Sequence, residues 1–120
     1  IFTSGNILEN VFKAVEKVKD KGFNIKLISL PIMKPINNKF VLANFDSKKI
    51  LSIEESSLIG GLSSILPSIY FKKPKKNIQF KSIALTDIVH KSIGSQKYLR
   101  NKNILSSEKS YKFIIKYLNE

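Results

Sequence analysis

The sequence contains no cysteine and no tryptophan, and its only histidine is His90. Without cysteine, the chain can form neither a disulfide framework nor a thiolate metal site. A single histidine also excludes a multi-histidine metal centre, because such centres need two or more imidazole ligands. Since the absence of cysteine is compatible with a reducing compartment, we expect a cytoplasmic protein.

Long apolar runs are also absent. No stretch approaches the roughly 18 consecutive apolar residues that are typical of a membrane-spanning helix. The longest run, across residues 25–33, is interrupted by Lys26, Ser29 and Pro31. The chain opens on apolar residues with no basic segment before them, so the sequence predicts neither a signal peptide nor a membrane partner.

Arginine and the acidic residues are few. The 120 residues include 21 Lys and Arg against 9 Asp and Glu, which gives a net charge of +12, and Arg100 is the only arginine. Proteins that read bases and phosphates commonly use arginine for its bidentate fork. A lysine cluster at Lys72, Lys73, Lys75 and Lys76 leaves one alternative open, a basic module that binds RNA or an acidic protein. We favour lysines on solvated faces and expect no nucleic acid partner.

The sequence does contain a regular alternation of apolar strands and amphipathic helices. Strands are predicted at residues 1–3, 24–30, 49–54 and 78–85. Helices are predicted from Asn6 to just before Gly22, at 38–44, at 62–71, around 98–99, and from 106 or 107 onward. This order and its short connections predict one α/β domain over residues 1–120, with a mainly parallel sheet between two helical layers, a three-layer α/β/α sandwich.

Three details concern the helix ends. Asn6 and Glu9 have the spacing of an N-cap and its reciprocal partner. Gly22 fits the left-handed position that follows a helix. Pro67 is expected to weaken or shorten the third helix, because proline lacks the amide donor that a helix interior requires.

A pair of acids, Glu54 and Glu55, lies at the end of the third predicted strand. Neighbouring residues on a strand point to opposite faces, so both can line one pocket only if the strand has already ended. One interpretation is an acid in the crevice at the carboxyl ends of the strands, where open α/β sheets bind ligands. We favour the other interpretation, a hydrogen-bonding anchor to backbone amides or to a neighbouring subunit.

Other candidate motifs are incomplete. Gly60 and Gly61 precede a helix and could hold a phosphate on free N–H groups, but the patterns of a P-loop and of a dinucleotide site are absent. We therefore favour close helix packing or an interface for this pair. A Ser-His-Asp triad would need His90 and Asp87, but no serine lies in a Gly-x-Ser-x-Gly elbow, so we predict no catalytic residue.

In order and spacing, these segments resemble the C-terminal domain of transketolase-like thiamine diphosphate-dependent enzymes, nearly from end to end. The segment from Glu54 onward is similar to the family's Val-Glu-Glu-His-x-x-x-Gly-Gly-Leu-Gly-Ser. The matching segments are Ile1-Phe2-Thr3-Ser4-Gly5, Lys34-Pro35-Ile36-Asn37, Ile53-Glu54-Glu55 with Ile59-Gly60-Gly61-Leu62-Ser63-Ser64, and Asp87 with Gly94-Ser95 and Tyr98-Leu99. The chain departs from the family pattern at Asn37, Ser56 and Ser63, where the family has Asp, His and Gly.

The resemblance implies a strand order of two-one-three-four, with the topological switch point between Ser4-Gly5 and Glu54-Glu55. It therefore implies a candidate interface or anion-contact loop formed by Ser4, Gly5, Glu54, Glu55, Gly60 and Gly61. The family also has an edge strand before the first strand found here, so the resemblance implies a fragment of a longer polypeptide.

The resemblance further implies a parent enzyme that transfers two-carbon ketol units between sugar phosphates. In that family, thiamine diphosphate and Mg²⁺ lie between a pyrimidine-binding and a diphosphate-binding domain, so this chain would hold no cofactor or metal. Its expected role is a structural, non-catalytic domain that contacts those domains in a homodimer. The same domain closes deoxyxylulose-phosphate synthases and the beta subunits of 2-oxoacid dehydrogenases, which remain alternatives.

Overall fold

Parallel strands form the central sheet of the computed structural model, which describes residues 1–74, 77–89 and 91–120. The strands of the described chain are β1 (Phe2–Ser4), β2 (Ile28–Ser29), β3 (Lys49–Ser57) and β4 (Gln79–Leu85). Their order across the sheet is β2-β1-β3-β4, and every neighbouring pair is parallel. The predicted fold class and strand order are therefore confirmed.

Helices cover both faces of this sheet and follow the strands in alternation. They are α1 (Leu8–Lys19), α2 (Asn38–Ala43), α3 (Leu62–Lys72), α4 (Gln96–Lys102) and α5 (Ser107–Asn119), with a short 3-10 turn at Gly5–Ile7. One core packs α1 and α5 against one face of the sheet, and a second core packs α2 and α3 against the other. The arrangement has the three layers that the alternation predicts.

β3 lies between the two cores and contributes to both. Ile50 belongs to the core under α2 and α3, while Leu51 and Ile53 belong to the core under α1 and α5. This division follows from the strand geometry, in which successive side chains point to opposite faces. The three apolar residues of β3 therefore serve both helical layers, although the strand also contains Lys, Ser and Glu.

β2 is much shorter than the predicted strand at residues 24–30. Only Ile28 and Ser29 pair with β1, opposite Phe2 and Thr3. Since β1 itself spans three residues, the ladder offers β2 few partners, although Leu30 still donates from its backbone N to Thr3 O at 2.8 Å. The length of this strand is set by its neighbour and not by its own β-prone sequence.

The predicted capping box at the start of α1 is wrong. Gly5, with a φ of +74°, starts the 3-10 turn directly after β1, so Asn6 already lies inside a helical turn. The residue that precedes α1 is Ile7, and no side chain caps this end. Glu9 instead forms an exposed ion pair with Lys13, one turn further along α1.

At the other helix ends, the predictions are closer. Gly22 takes the expected left-handed conformation, with φ +86°, two residues after the C-cap Asp20. Ser106 caps α5, because its hydroxyl accepts from the backbone N of Lys109 at 3.4 Å. Pro67 does not shorten α3, which continues to Lys72.

Candidate functional site at the carboxyl edge of the sheet

The carboxyl ends of β1 and β3 bring the six predicted site residues into two adjacent groups. Ser4 pairs with Glu54 across these strands, so the predicted switch point lies where the resemblance places it. β3 continues to Ser57, three residues beyond the predicted end, and its pairing with β4 is irregular between Ile53 and Ser57. Glu54 and Glu55 therefore still lie on a strand, and they face opposite helical layers.

Glu54 is fully buried beneath the start of α3. Its carboxylate accepts hydrogen bonds from the backbone N–H of Leu62 at 2.7 Å and of Ser63 at 2.9 Å. A third bond comes from the hydroxyl of Ser56 at 2.6 Å. An anion at this position satisfies two amides that a helix start leaves without intrahelical partners, and it complements the helix dipole. The favoured interpretation of Glu54 as an anchor to backbone amides is confirmed.

The glycine pair makes this approach possible, for two different reasons. Gly60 has a φ of +85°, a left-handed conformation that favours glycine. Gly61 has an ordinary φ of −91°, but a Cβ there would lie 2.6 Å from Glu54 Cδ. Gly60 also donates its backbone N–H to Ser64 Oγ at 3.0 Å. The N–H groups of Gly60, Leu62 and Ser63 are thus already bonded to protein oxygens, whereas a bound phosphate would need them free. This favours close packing over anion binding at the glycine pair.

Glu55 points away from Glu54 and pairs with the only arginine of the chain. Arg100 Nε donates to Glu55 Oε1 at 2.8 Å, and Arg100 Nη2 donates to Oε2 at 2.5 Å. Both side chains are largely shielded from solvent. The hydrogen bonds to the Glu55 carboxylate raise the pKa of Arg100 above its ordinary value, so the guanidinium stays charged. This bidentate contact fastens α4 to the end of β3.

An open cleft of about 420 Å³ lies beside this ion pair, lined by Ser4, Gly5, Asn6, Glu55 and Ser56. The cleft is the switch-point crevice of the sheet, and it brings together Ser4, Gly5 and Glu55 of the six candidate residues. Glu54, Gly60 and Gly61 form the second group, behind the cleft and under α3. The sequence could not pair Glu55 with Arg100, since 45 positions separate them; the single arginine was the only available signal.

Exposed apolar side chains mark the same edge. Leu58, Ile59, Ile88 and Val89, here called the carboxyl-edge patch, follow the ends of β3 and β4 and are 44–83% exposed. The backbone N–H of Leu58 donates to Leu85 O at 2.9 Å, which holds the two loops side by side. Exposed apolar patches on folded domains commonly mark contacts with other proteins. The two residues of this patch that follow β4, Ile88 and Val89, were not predicted as part of a site.

The remaining candidates do not form a site in the described residues. His90, Lys75 and Lys76 lie outside those residues, so the triad and half of the lysine cluster stay untested. Within the described residues there is no group of three or more His, Asp or Glu side chains suited to a metal ion. Over the same ranges, no helix has the length and apolar character needed to cross a bilayer.

Comparisons with known proteins agree with this geometry. The family model described as the C-terminal domain of transketolase matches residues 1–107. Over 97 residues the chain is 31% identical to 1-deoxy-D-xylulose-5-phosphate synthase of Shouchella clausii, covering 78% of this chain and 15% of that protein. Over 70 residues it is 31% identical to the pyruvate dehydrogenase E1 component subunit beta of Mesostigma viride, covering 58% of this chain and 21% of that protein.

A solved structure extends the comparison to the fold. A split-gene transketolase, described as an inactive beta4 tetramer, superimposes with a TM-score of 0.84 at 18% identity. The match covers 98% of this chain and 38% of the other. Because the identity is low, this match supports the architecture alone. The chain thus spans less than two fifths of each of these proteins.

Proposed function

Because this chain belongs to the transketolase C-terminal domain family, we propose that it is a non-catalytic docking domain of a larger thiamine diphosphate-dependent enzyme. The carboxyl-edge patch carries this proposal. It places four exposed apolar side chains at one edge of the sheet, in a chain whose net charge is +12. Residues 56–64, which include Leu58 and Ile59 of the patch, carry no charged side chain. Such an edge suits contact with a protein surface better than contact with water.

The proposed role has two parts. The domain buttresses a pyrimidine-binding domain, and the segment at residues 54–64, from the end of β3 to the start of α3, extends the subunit contact of a homodimer. A diphosphate-binding domain and the pyrimidine-binding domain would together hold thiamine diphosphate and Mg²⁺. The residues at this edge do not themselves fit a diphosphate, since the amides of Leu62 and Ser63 already bond to Glu54. The chain is therefore assigned no step of the chemistry.

Two reactions are candidates for the parent enzyme. One is transfer of two-carbon ketol units between sugar phosphates, as the resemblance to transketolase-like enzymes implies. The other is the reaction of 1-deoxy-D-xylulose-5-phosphate synthases, which is favoured by the 31% identity over 78% of this chain. The residues that choose between these substrates would lie in the other domains. A cytoplasmic location remains part of the proposal.

We expect the purified 120-residue chain to give no turnover when it is supplied with thiamine diphosphate, Mg²⁺ and sugar-phosphate donor and acceptor. The reason is that the amides at the start of α3, which could otherwise hold a diphosphate, already bond to Glu54. The measurement is a coupled assay of ketol transfer, run beside the complete parent enzyme as the positive control. Measurable transfer by the chain alone would contradict the non-catalytic role.

The docking role is tested by making the carboxyl-edge patch polar in the parent enzyme. We expect Ile59→Ser combined with Val89→Ser to raise the dissociation constant of the assembled subunits about tenfold or more, because apolar area at the contact is lost. Sedimentation across a concentration series measures this constant.

The matched control is Phe71→Ser. Phe71 is 72% exposed, close to the values for Ile59 and Val89, but it lies at the C-terminal end of α3, near the opposite edge of the sheet. The control should leave assembly unchanged. Equal dissociation constants for the double variant, the control and the unmodified enzyme would rule out docking through this edge.

A further inference from the structure

Besides the cleft at the carboxyl edge, the domain has an apolar cavity between α2 and the C-terminal end of α3. It encloses about 340 Å³, within the usual range of small-molecule sites. The residues that line it are Lys39, Leu42, Ala43, Phe45, Tyr70, Lys73 and Ile78. We call it the α2–α3 groove.

The floor of the α2–α3 groove is built from aromatic rings. Phe45 and Tyr70 pack edge to face with their centroids 6.2 Å apart, and both rings also contact Phe80 beneath them. Phe45 and Tyr70 are buried, so the floor is part of the second core and keeps its shape. An apolar ligand body resting there would be removed from water without rearranging the core.

Two lysines supply the charge at the rim. Lys39 lies on α2, one turn before Leu42 and Ala43, and Lys73 directly follows α3. Within the described residues, neither ammonium group has a carboxylate partner, whereas Lys13, Lys19, Lys26, Lys81 and Lys112 all have one. The groove therefore pairs an apolar floor with two cations that no described acid neutralises.

The polar side chains of the lining narrow the class of ligand. Among the described lining residues, the two lysines and Tyr70 are the ones with polar side chains. A sugar phosphate or nucleotide would bury several hydroxyl or amide groups without partners, which is costly. A ligand with one anionic head and an otherwise apolar body leaves no such group unsatisfied.

We propose that the α2–α3 groove binds a medium-chain fatty carboxylate, with its tail on Phe45 and Tyr70 and its head between Lys39 and Lys73. The proposal is independent of the docking role, because it uses a different part of the surface. The ammonium groups of the two lysines can pair with the carboxylate at the solvent-exposed rim, while their aliphatic stems cover the alkyl chain of the ligand.

The test is a titration of the ¹⁵N-labelled chain with decanoate below its micelle concentration, followed by NMR. Decanoate should shift the amide signals of Leu42, Ala43 and Ile78, and decyltrimethylammonium, which has the same tail with a reversed charge, should shift none of them. Shifts spread evenly over the chain, or equal shifts with the cationic probe, would overturn the proposal.

Charge variants separate the groove from general attraction to a basic protein. Lys39→Gln with Lys73→Gln should weaken decanoate binding about tenfold, since two exposed ion pairs are lost. Lys17→Gln with Lys97→Gln removes the same charge from α1 and α4 and should leave binding unchanged. An equal loss in both pairs would overturn the proposal.

Ala43→Leu fills the groove from a solvent-exposed position and should abolish binding, while the amide spectrum of α1 and α5 stays as in the unmodified chain. Undiminished binding by this variant would place decanoate elsewhere and overturn the proposal.

Discussion

Glu54→Ala should lower the free energy of unfolding by about 4 kcal/mol, the largest effect expected for any single substitution at the carboxyl edge. The carboxylate is buried and accepts from two backbone amides and one hydroxyl. Alanine leaves the amides of Leu62 and Ser63 without their acceptor, and the contact to Leu62 is buried while that to Ser63 is part-buried. Urea unfolding followed by circular dichroism measures the difference.

Glu54→Gln provides a milder variant in case the alanine variant does not fold. Glutamine keeps the side-chain volume but replaces one oxygen acceptor by an amide donor that faces a backbone N–H. We therefore expect the free energy of unfolding to fall by about 2 kcal/mol. Glu16→Gln is the matched control, because its ion pair with Lys19 is half exposed and should be worth at most about 0.5 kcal/mol. A Glu54→Ala variant within 1 kcal/mol of the unmodified chain would refute the anchoring role.

Gly61→Ala should destabilise the chain by about 3 kcal/mol, even though its backbone conformation suits any residue. The added Cβ would lie 2.6 Å from Glu54 Cδ, and Glu54 cannot withdraw without breaking its bonds to α3. Gly60→Ala is the control at the adjacent position. It meets no atom within 4 Å and carries only the strain of a positive φ, about 1 kcal/mol.

A double-mutant cycle isolates the contact. In a Glu54→Ala background the obstacle to the Cβ is gone, so Gly61→Ala should cost less than about 1 kcal/mol there. Chemical unfolding of the four proteins of the cycle gives the coupling energy. Additive losses would mean that Gly61 is needed for a reason other than the approach of Glu54.

Much of the fold could be predicted from the sequence. The alternation of strands and helices specified parallel strands with covered faces, and the resemblance supplied their order. The errors lie where a neighbour decides the local structure. β2 shrinks to Ile28–Ser29 because β1 offers it few partners. Asn6 fails as a cap because the left-handed Gly5 turns the chain into a 3-10 helix before it.

The site was predictable in part. The alternation of β3 separates Glu54 from Glu55, and the glycine pair indicated a close approach at the start of α3. The partners of these acids could not be predicted with the same rules. Arg100 reaches Glu55 from 45 positions away, and the Ser56 hydroxyl bonds to Glu54 at a position where the family has histidine. Both contacts depend on how α4 and the irregular end of β3 sit in three dimensions.

The hydrogen bonds from the start of α3 to Glu54 also affect how this edge would bind a partner. Because Glu54 already holds the amides of Leu62 and Ser63, the segment at residues 54–64 is fixed at both ends before a partner binds, so association costs little conformational entropy there. The Glu54 carboxylate is buried, Glu55 is paired with Arg100, and residues 56–64 carry no charged side chain, so counterions have little to screen. A contact through this edge would keep its strength in concentrated salt, where attraction based on the lysines would fade.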